Sequence, residues 1–113
     1  MLLECSTADV VTIERLGVRG TRAGAQFVDA PLTGGVEGAE AGTLTFMVGG
    51  TGAQVTRIRP VLEAMGERIL HSGPFGSGSK MKLVTHMICA TNLMVAAEAR
   101  TRAQAGTRRA VNV

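Results

Sequence analysis

The apolar positions of the chain fall into blocks whose spacing predicts alternating strands and helices. Leu2 to Cys5 reads as the end of a strand, and Ser6-Thr7 as the cap of the helix that follows. Val10, Val11, Ile13, Leu16 and Val18 give that helix a broad apolar face, and it is expected to fray between Gly17 and Gly24. Gln26 to Pro31 is the next strand, stopped by Pro31. Leu32 to Gly42 is a small-residue loop with four glycines. Thr43 to Gly50 alternates at its start and reads as another strand. Thr51 caps a helix with Val55, Ile58, Leu62 and Met65 on its inner face, Pro60 predicts a kink or break, and Gly66 is its stop. Arg68 to Ser72 is a last short strand. The glycine-punctuated stretch Gly73-Pro74-Phe75-Gly76-Ser77-Gly78 then runs into a long apolar helix that reaches Glu98.

The order of elements predicts an α/β layout with no internal repeat and no linker. The long helix is apolar on nearly every side, through Leu83, Val84, Met87, Ile88, Leu93, Met94 and Val95. Such a helix expects to be covered all round. Either it pairs with another chain or a covering part is missing. The first strand likewise begins at residue 1 with nothing before it to pair against.

Composition narrows the function classes. With 113 residues, 45% of them hydrophobic, the chain is one domain at most and is not expected to be disordered. It has no Trp or Tyr and three Phe, so stacking on bases has little material. The net charge of +3 is unevenly placed. Residues 1–99 carry eight Lys/Arg against nine Asp/Glu, while residues 100–113 add Arg100, Arg102, Arg108 and Arg109 and no acid. A basic tail without an accompanying motif is only weak evidence for nucleic acid, and no nucleic-acid partner is expected. Cys5 and Cys89 lack metal-ligand spacing and read as two reduced, buried thiols, with no metal site. The chain opens without a signal peptide, and the run from Leu83 to Ala97 is too short to span a bilayer, so a soluble, cytoplasmic protein with no membrane partner is expected.

Two stretches carry candidate chemistry. Lys82 falls near the start of the long helix, where the macrodipole disfavours a positive charge, and His86 follows one turn later on the same face. That pair suits a proton donor with a polar neighbour; the plain alternative is a solvated lysine and a core histidine. Thr33-Gly34-Gly35 offers a hydroxyl and two unobstructed amides, a nest for a carboxylate; the alternative is an ordinary glycine turn. His71 reads as a surface or turn residue.

Together these residues resemble a known family. Asp29-Ala30-Pro31-Leu32-Thr33-Gly34-Gly35, followed by Gly38-Ala39-Glu40-Ala41-Gly42-Thr43-Leu44, looks like the substrate-binding signature of the β-hydroxyacid dehydrogenases, the family of 3-hydroxyisobutyrate dehydrogenase and tartronate semialdehyde reductase. Gly73-Pro74 with Gly76, Gly78 and Lys82 resembles the catalytic signature, and Cys5-Ser6-Thr7 the segment that contacts the cofactor. The resemblance covers Leu3 to about Gly106 and implies hydride transfer between NAD or NADP and a small 3-hydroxy acid or its semialdehyde. It makes Lys82 the catalytic proton carrier, Thr33, Gly34 and Gly35 the holders of the substrate carboxylate, and Thr7 a cofactor contact. His86 stands one turn after the lysine, where the family has asparagine. The histidine can still bond a substrate oxygen, but it adds bulk and a titratable group.

The resemblance further implies a middle segment. Residues 1–78 would be the second half of a Rossmann-type domain, 79–106 the start of an interdomain helix and 107–113 an irregular tail. The glycine-rich βαβ unit that cradles a pyrophosphate has no counterpart here. The chain alone is expected to turn over little, and homo-oligomerisation through the long helix is expected. The alternative is a non-catalytic module that self-associates through that helix.

Overall fold

A computed structural model of the chain describes residues 1–111, with side chains described as far as residue 106. Its elements are β1 (Leu2–Glu4), α1 (Val10–Arg22), β2 (Phe27–Asp29), β3 (Leu32–Thr33), α2 (Gly35–Ala41), β4 (Leu44–Gly49), α3 (Gly52–Glu63), β5 (Gly66–Gly73) and α4 (Ser77–Val111). Residues up to Leu83 form one compact unit, and from Val84 onward α4 makes up a second. The α/β class expected from the pattern is what the first unit shows.

All five strands join one mixed sheet. β1 and β2 run parallel, with Leu2 beside Phe27 and Glu4 beside Asp29. β4 runs antiparallel to β2 and β3 and parallel to β5. Between β2 and β3 the register never shifts: Asp29 pairs with Gly49, Leu32 with Phe46 and Thr33 with Thr45, and the Met47 amide donates to the Pro31 carbonyl at 2.9 Å. β2, Pro31 and β3 are therefore one strand interrupted at the proline, which has no N–H to give to a ladder.

Several boundaries differ from the expectation, each for a local reason. Asp9, not Ser6 or Thr7, caps α1: its Oδ1 accepts from the Thr12 amide at 2.9 Å, while Ser6 turns back to donate to Glu4. α1 does not fray at Gly17 but continues to Arg22, because Gly17 and Gly20 are packing positions. A Cβ at Gly17 would overlap the Phe75 ring and one at Gly20 the Phe27 ring. The two rings meet edge to face, 6.4 Å between centroids, in the groove those glycines open along α1. The expected loop over residues 32–42 is β3 followed by α2, since the Val, Ala and Glu residues between Gly35 and Gly42 tolerate a helix. Pro60 does not end α3, which runs three residues further to Glu63. Thr51 caps it as expected, within a reciprocal box in which the Gln54 side chain accepts from the Thr51 amide at 2.8 Å. Ala64 ends the helix, and Gly66 opens β5. α4 begins at Ser77 and continues through residues 107–111, where an irregular tail was expected; Arg and Ala are strong helix formers and no proline intervenes. Residues 112–113 of that expected tail lie outside the described residues.

The core lies on one face of the sheet. Val28 and Ala30 of the interrupted strand and Leu44, Phe46 and Val48 of β4 point to that face, where Val55, Ile58 and Leu62 of α3 close over them. Met65, expected beside them, is 39% exposed. Leu3, Cys5, Leu32 and Ile69 pack against the edge of this cluster. The other face takes Phe27, Asp29, Met47 and Gly49, opposite in pleat to the core residues.

Gly17→Ala should lower the urea midpoint, by about 1–3 kcal/mol of stability, because the added methyl overfills the Phe75 contact. Gly52→Ala is the control, since open space surrounds that position and the change should be neutral to slightly stabilising. If both variants shift the midpoint alike, the packing role of Gly17 is wrong. Cysteine reactivity gives a second check. Burial, and next the negative charge of Glu4, push the half-buried Cys5 thiol up, whereas Cys89, expected to be buried, is exposed on α4. Iodoacetamide should therefore alkylate Cys89 well before Cys5, with the difference abolished in denaturant.

Candidate active site

Asp29 is the centre of the buried polar structure. Its side chain is fully buried, on a strand whose other neighbours are apolar. Oδ1 accepts from the Gly76 amide at 2.7 Å, and Oδ2 accepts from the Ser79 amide at 2.7 Å and the Ser79 hydroxyl at 3.0 Å. Those donors are the residue before α4 and a residue of its first turn. Both carboxylate oxygens are thus spent on the amides that a helix start leaves without intrahelical partners. The close approach depends on two missing side chains. A Cβ at Gly49 would overlap Asp29 Oδ1, and one at Gly78 would overlap the Met47 carbonyl of β4.

Lys82 lies three residues beyond Ser79, within the first unit, and is buried at 5% exposure. It is the sixth residue of α4, in the second turn rather than the first. The dipole effect expected from sequence is altered by this geometry: the Asp29 carboxylate sits at the positive end of the helix and compensates it. Lys80, two residues before Lys82, faces outward and pairs with Glu14 of α1 at 3.1 Å, both side chains being half exposed or more.

Thr33, Gly34 and Gly35 follow the interrupted strand into α2 and are all exposed. Gly34 and Gly35 take φ of 137° and 63°, values that side-chain-bearing residues rarely adopt, so the backbone there requires glycine. No side chain caps α2; Gly34 holds its first turn through its carbonyl, which accepts from the Gly38 amide at 2.9 Å. Thr33 is at the surface, and a Cβ placed at Gly35 would meet nothing within 4 Å, so the surroundings of the turn are uncrowded.

Thr7 is exposed in the segment that leaves β1. Its neighbour Glu4 is engaged with Ser6, whose hydroxyl and then amide hold the Glu4 carboxyl below the usual carboxylate range. Because β1 and β2 run parallel, Thr7 leaves the sheet at the end toward which β2 runs into Pro31 and Thr33. α4 starts over Gly49 and passes over Met47, the same direction along β4, and so carries Lys82 toward that end as well. The fold therefore draws Thr7, Thr33 and Lys82 toward one end of the sheet. His86 belongs to the second unit, where it is exposed rather than a core histidine. His71 is in β5, and its Nε2 donates to the Gly50 carbonyl at 2.8 Å; a carbonyl only accepts, so that nitrogen carries the hydrogen.

A cavity of about 1130 Å³ opens at the opposite end of the sheet, between α1 and Pro74-Phe75 with Phe27 as its floor. None of the candidate residues line it. Sequence reasoning passed over Asp29 as a working residue and quoted it only as part of a motif. The available signal was a carboxylate at the end of a strand otherwise written in apolar residues.

Residues 1–73 match the family model described as the NAD binding domain of 6-phosphogluconate dehydrogenase. The mitochondrial 3-hydroxyisobutyrate dehydrogenase of Drosophila melanogaster is 41% identical over 99 residues, which are 88% of this chain and 31% of that protein. The NAD-dependent L-serine dehydrogenase of Pseudomonas aeruginosa is 40% identical over 99 residues, 88% of this chain and 33% of the relative. Among solved structures, the Mycobacterium tuberculosis 3-hydroxyisobutyrate dehydrogenase with L-serine superposes with a TM-score of 0.81 at 39% identity, covering 86% of this chain and 33% of that one. The chain thus spans about a third of the length of the relatives it matches. By the domain it matches and the relatives that share its sequence, the chain belongs to the β-hydroxyacid dehydrogenase family.

Proposed function

We propose that this chain supplies the substrate-holding and proton-transferring part of an NAD(P)-dependent dehydrogenase acting on a small 3-hydroxy acid or its semialdehyde. The observation that carries the reading is the enclosed Lys82 on a helix anchored, through Asp29, to the strand that leads to Thr33-Gly34-Gly35. Thr33 and the amides of Gly34 and Gly35 hold the substrate carboxylate, since a hydroxyl and exposed N–H groups are what an anion needs. Lys82 takes the proton of the substrate hydroxyl during oxidation and returns it to the oxygen during reduction, while the hydride moves at the neighbouring carbon. By the resemblance alone, His86 would be a hydrogen-bond partner of a substrate oxygen.

NAD or NADP supplies the hydride acceptor. The residues present fit one side of such a cofactor: Thr7 is an exposed hydroxyl beyond the carboxyl end of a parallel strand, where open α/β sheets bind ligands. The glycine-rich turn from β5 into α4 gives its Gly76 and Ser79 amides to Asp29 and not to a ligand. By the resemblance, Thr7 would contact the cofactor near its nicotinamide end, and the chain alone would turn over little.

A second reading, of a non-catalytic module that self-associates through α4, is favoured by the exposure of Met87, Ile88, Leu93, Met94 and Val95, each more than half accessible. Under it the chain sediments as a discrete dimer indifferent to nicotinamide cofactors and to replacement of Lys82. No helix among the described residues is long and apolar enough to cross a membrane.

The deciding experiment grafts residues 1–106 into the M. tuberculosis 3-hydroxyisobutyrate dehydrogenase in place of its matching stretch and follows NADH absorbance. The graft should turn over, and Lys82→Ala should lower kcat about 10²–10⁴-fold. Thr33→Val should mainly raise KM for the hydroxy acid, by about tenfold, as expected for a lost carboxylate contact. A graft that folds and works equally well with alanine at position 82 sinks the assignment. Lys82-dependent oxidation by the 113-residue chain alone would overturn the claim that it needs completing.

A further inference from the structure

We infer that Asp29 is a positioning residue for the reaction: its carboxylate ties the strand leading to Thr33, Gly34 and Gly35 to the helix carrying Lys82, and so fixes the proton carrier relative to the anion-holding loop. The inference rests on the reading of Lys82 as that carrier. Three features make the tie rigid. The carboxylate is fully buried and accepts three bonds, all from Gly76 and Ser79, so it has one resting geometry. Gly49 and Gly78 leave no side-chain cushion between helix and sheet, so α4 rests on the β4 backbone at Met47. The strand from Asp29 to Thr33 is held against β4 in an unbroken register, so a shift at Asp29 cannot be absorbed before it reaches Thr33.

An ordinary buried cap would stabilise the fold and do no more. A positioning residue also fixes Lys82 locally, beyond what global stability demands. Ser79 gives the intermediate case, because its hydroxyl supplies one of the three bonds while its amide supplies another.

The chain has only two lysines, which makes the test direct. Lys80, with 58% of its side chain exposed, is an internal reference two residues from Lys82. Brief reductive methylation of the 113-residue chain, read by peptide mass spectrometry, should modify Lys82 much more slowly than Lys80. Asp29→Asn keeps the size of the side chain but turns an amide NH₂ toward N–H donors, and should reduce the protection of Lys82 relative to Lys80 by about tenfold. Ser79→Ala should move it the same way by less, and carries the test if Asp29→Asn does not fold. Ile58→Val, in the core under α3, brought to equal global stability with urea, should leave the ratio at its wild-type value. An unchanged ratio in the folded Asp29 or Ser79 variants overturns the inference. So does an Ile58 variant that exposes Lys82 equally, since Asp29 would then act only through overall stability. Labelling needs no turnover, so a graft that works equally well with alanine at position 82 would sink the role of Lys82 in catalysis without touching this result.

Discussion

A carboxylate buried beneath the start of a helix governs how the first unit of this protein is put together. Taking Asp29 out of water costs several kcal/mol, and the cost is offset only because each of its oxygens meets donors with good geometry. Three bonds to a charged acceptor contribute about 1.5–3 kcal/mol each, and the positive end of the α4 dipole adds to them. Gain and cost are of similar size, so the pair of elements is held by geometry more than by surplus energy. Everything near it adapts. β4 presents glycine at position 49 and the helix presents glycine at 78, because any side chain there would push the amides out of reach.

That constraint organises the two faces of the sheet. The face under α3 is an aliphatic core of Val28, Ala30, Leu44, Phe46, Val48, Val55, Ile58 and Leu62, where no polar group needs a partner. The opposite face carries Phe27, Asp29 and Gly49, with α1 and the start of α4 above it. Here two phenyl rings sit in the groove left by Gly17 and Gly20, beside a fully bonded carboxylate. Lys80 and Glu14 bridge the two helices at the surface, where an exposed ion pair is worth about 0–1 kcal/mol and contributes little beside the buried bonds.

Strand and helix identity were largely legible in the sequence, because apolar spacing and the Thr51 cap are local signals. The places where reading failed share one cause. Gly17, Gly20 and Gly66 look like helix breakers or stops when only their own propensity is weighed; in the fold they are sites of close approach to Phe75, Phe27 and the Leu44 carbonyl, contacts that the local sequence does not announce. The short helix after Gly35 was hidden because glycines at both ends gave a loop composition to a segment whose middle tolerates a helix. For the site, Thr33, the glycines after it and Lys82 stood out through the resemblance to a family. Asp29 did not show its role, since its three donors lie 47 and 50 residues on, at Gly76 and Ser79.

The interrupted strand from Phe27 to Thr33 has a consequence for how such a site can diversify. Because the pairing holds one register across Pro31, adding or deleting a single residue between Asp29 and Thr33 would turn the threonine to the other side of the sheet. That length is locked. The segment from Gly34 to Gly42 is bound by no ladder and makes a surface excursion that begins and ends next to β4. Insertions there would reshape the wall around a bound acid while the threonine and the helix carrying the lysine stayed where they are. The fold thus separates a part of fixed length, which carries Thr33, from a neighbouring part of free length, which under the proposed function would shape the surroundings of the substrate.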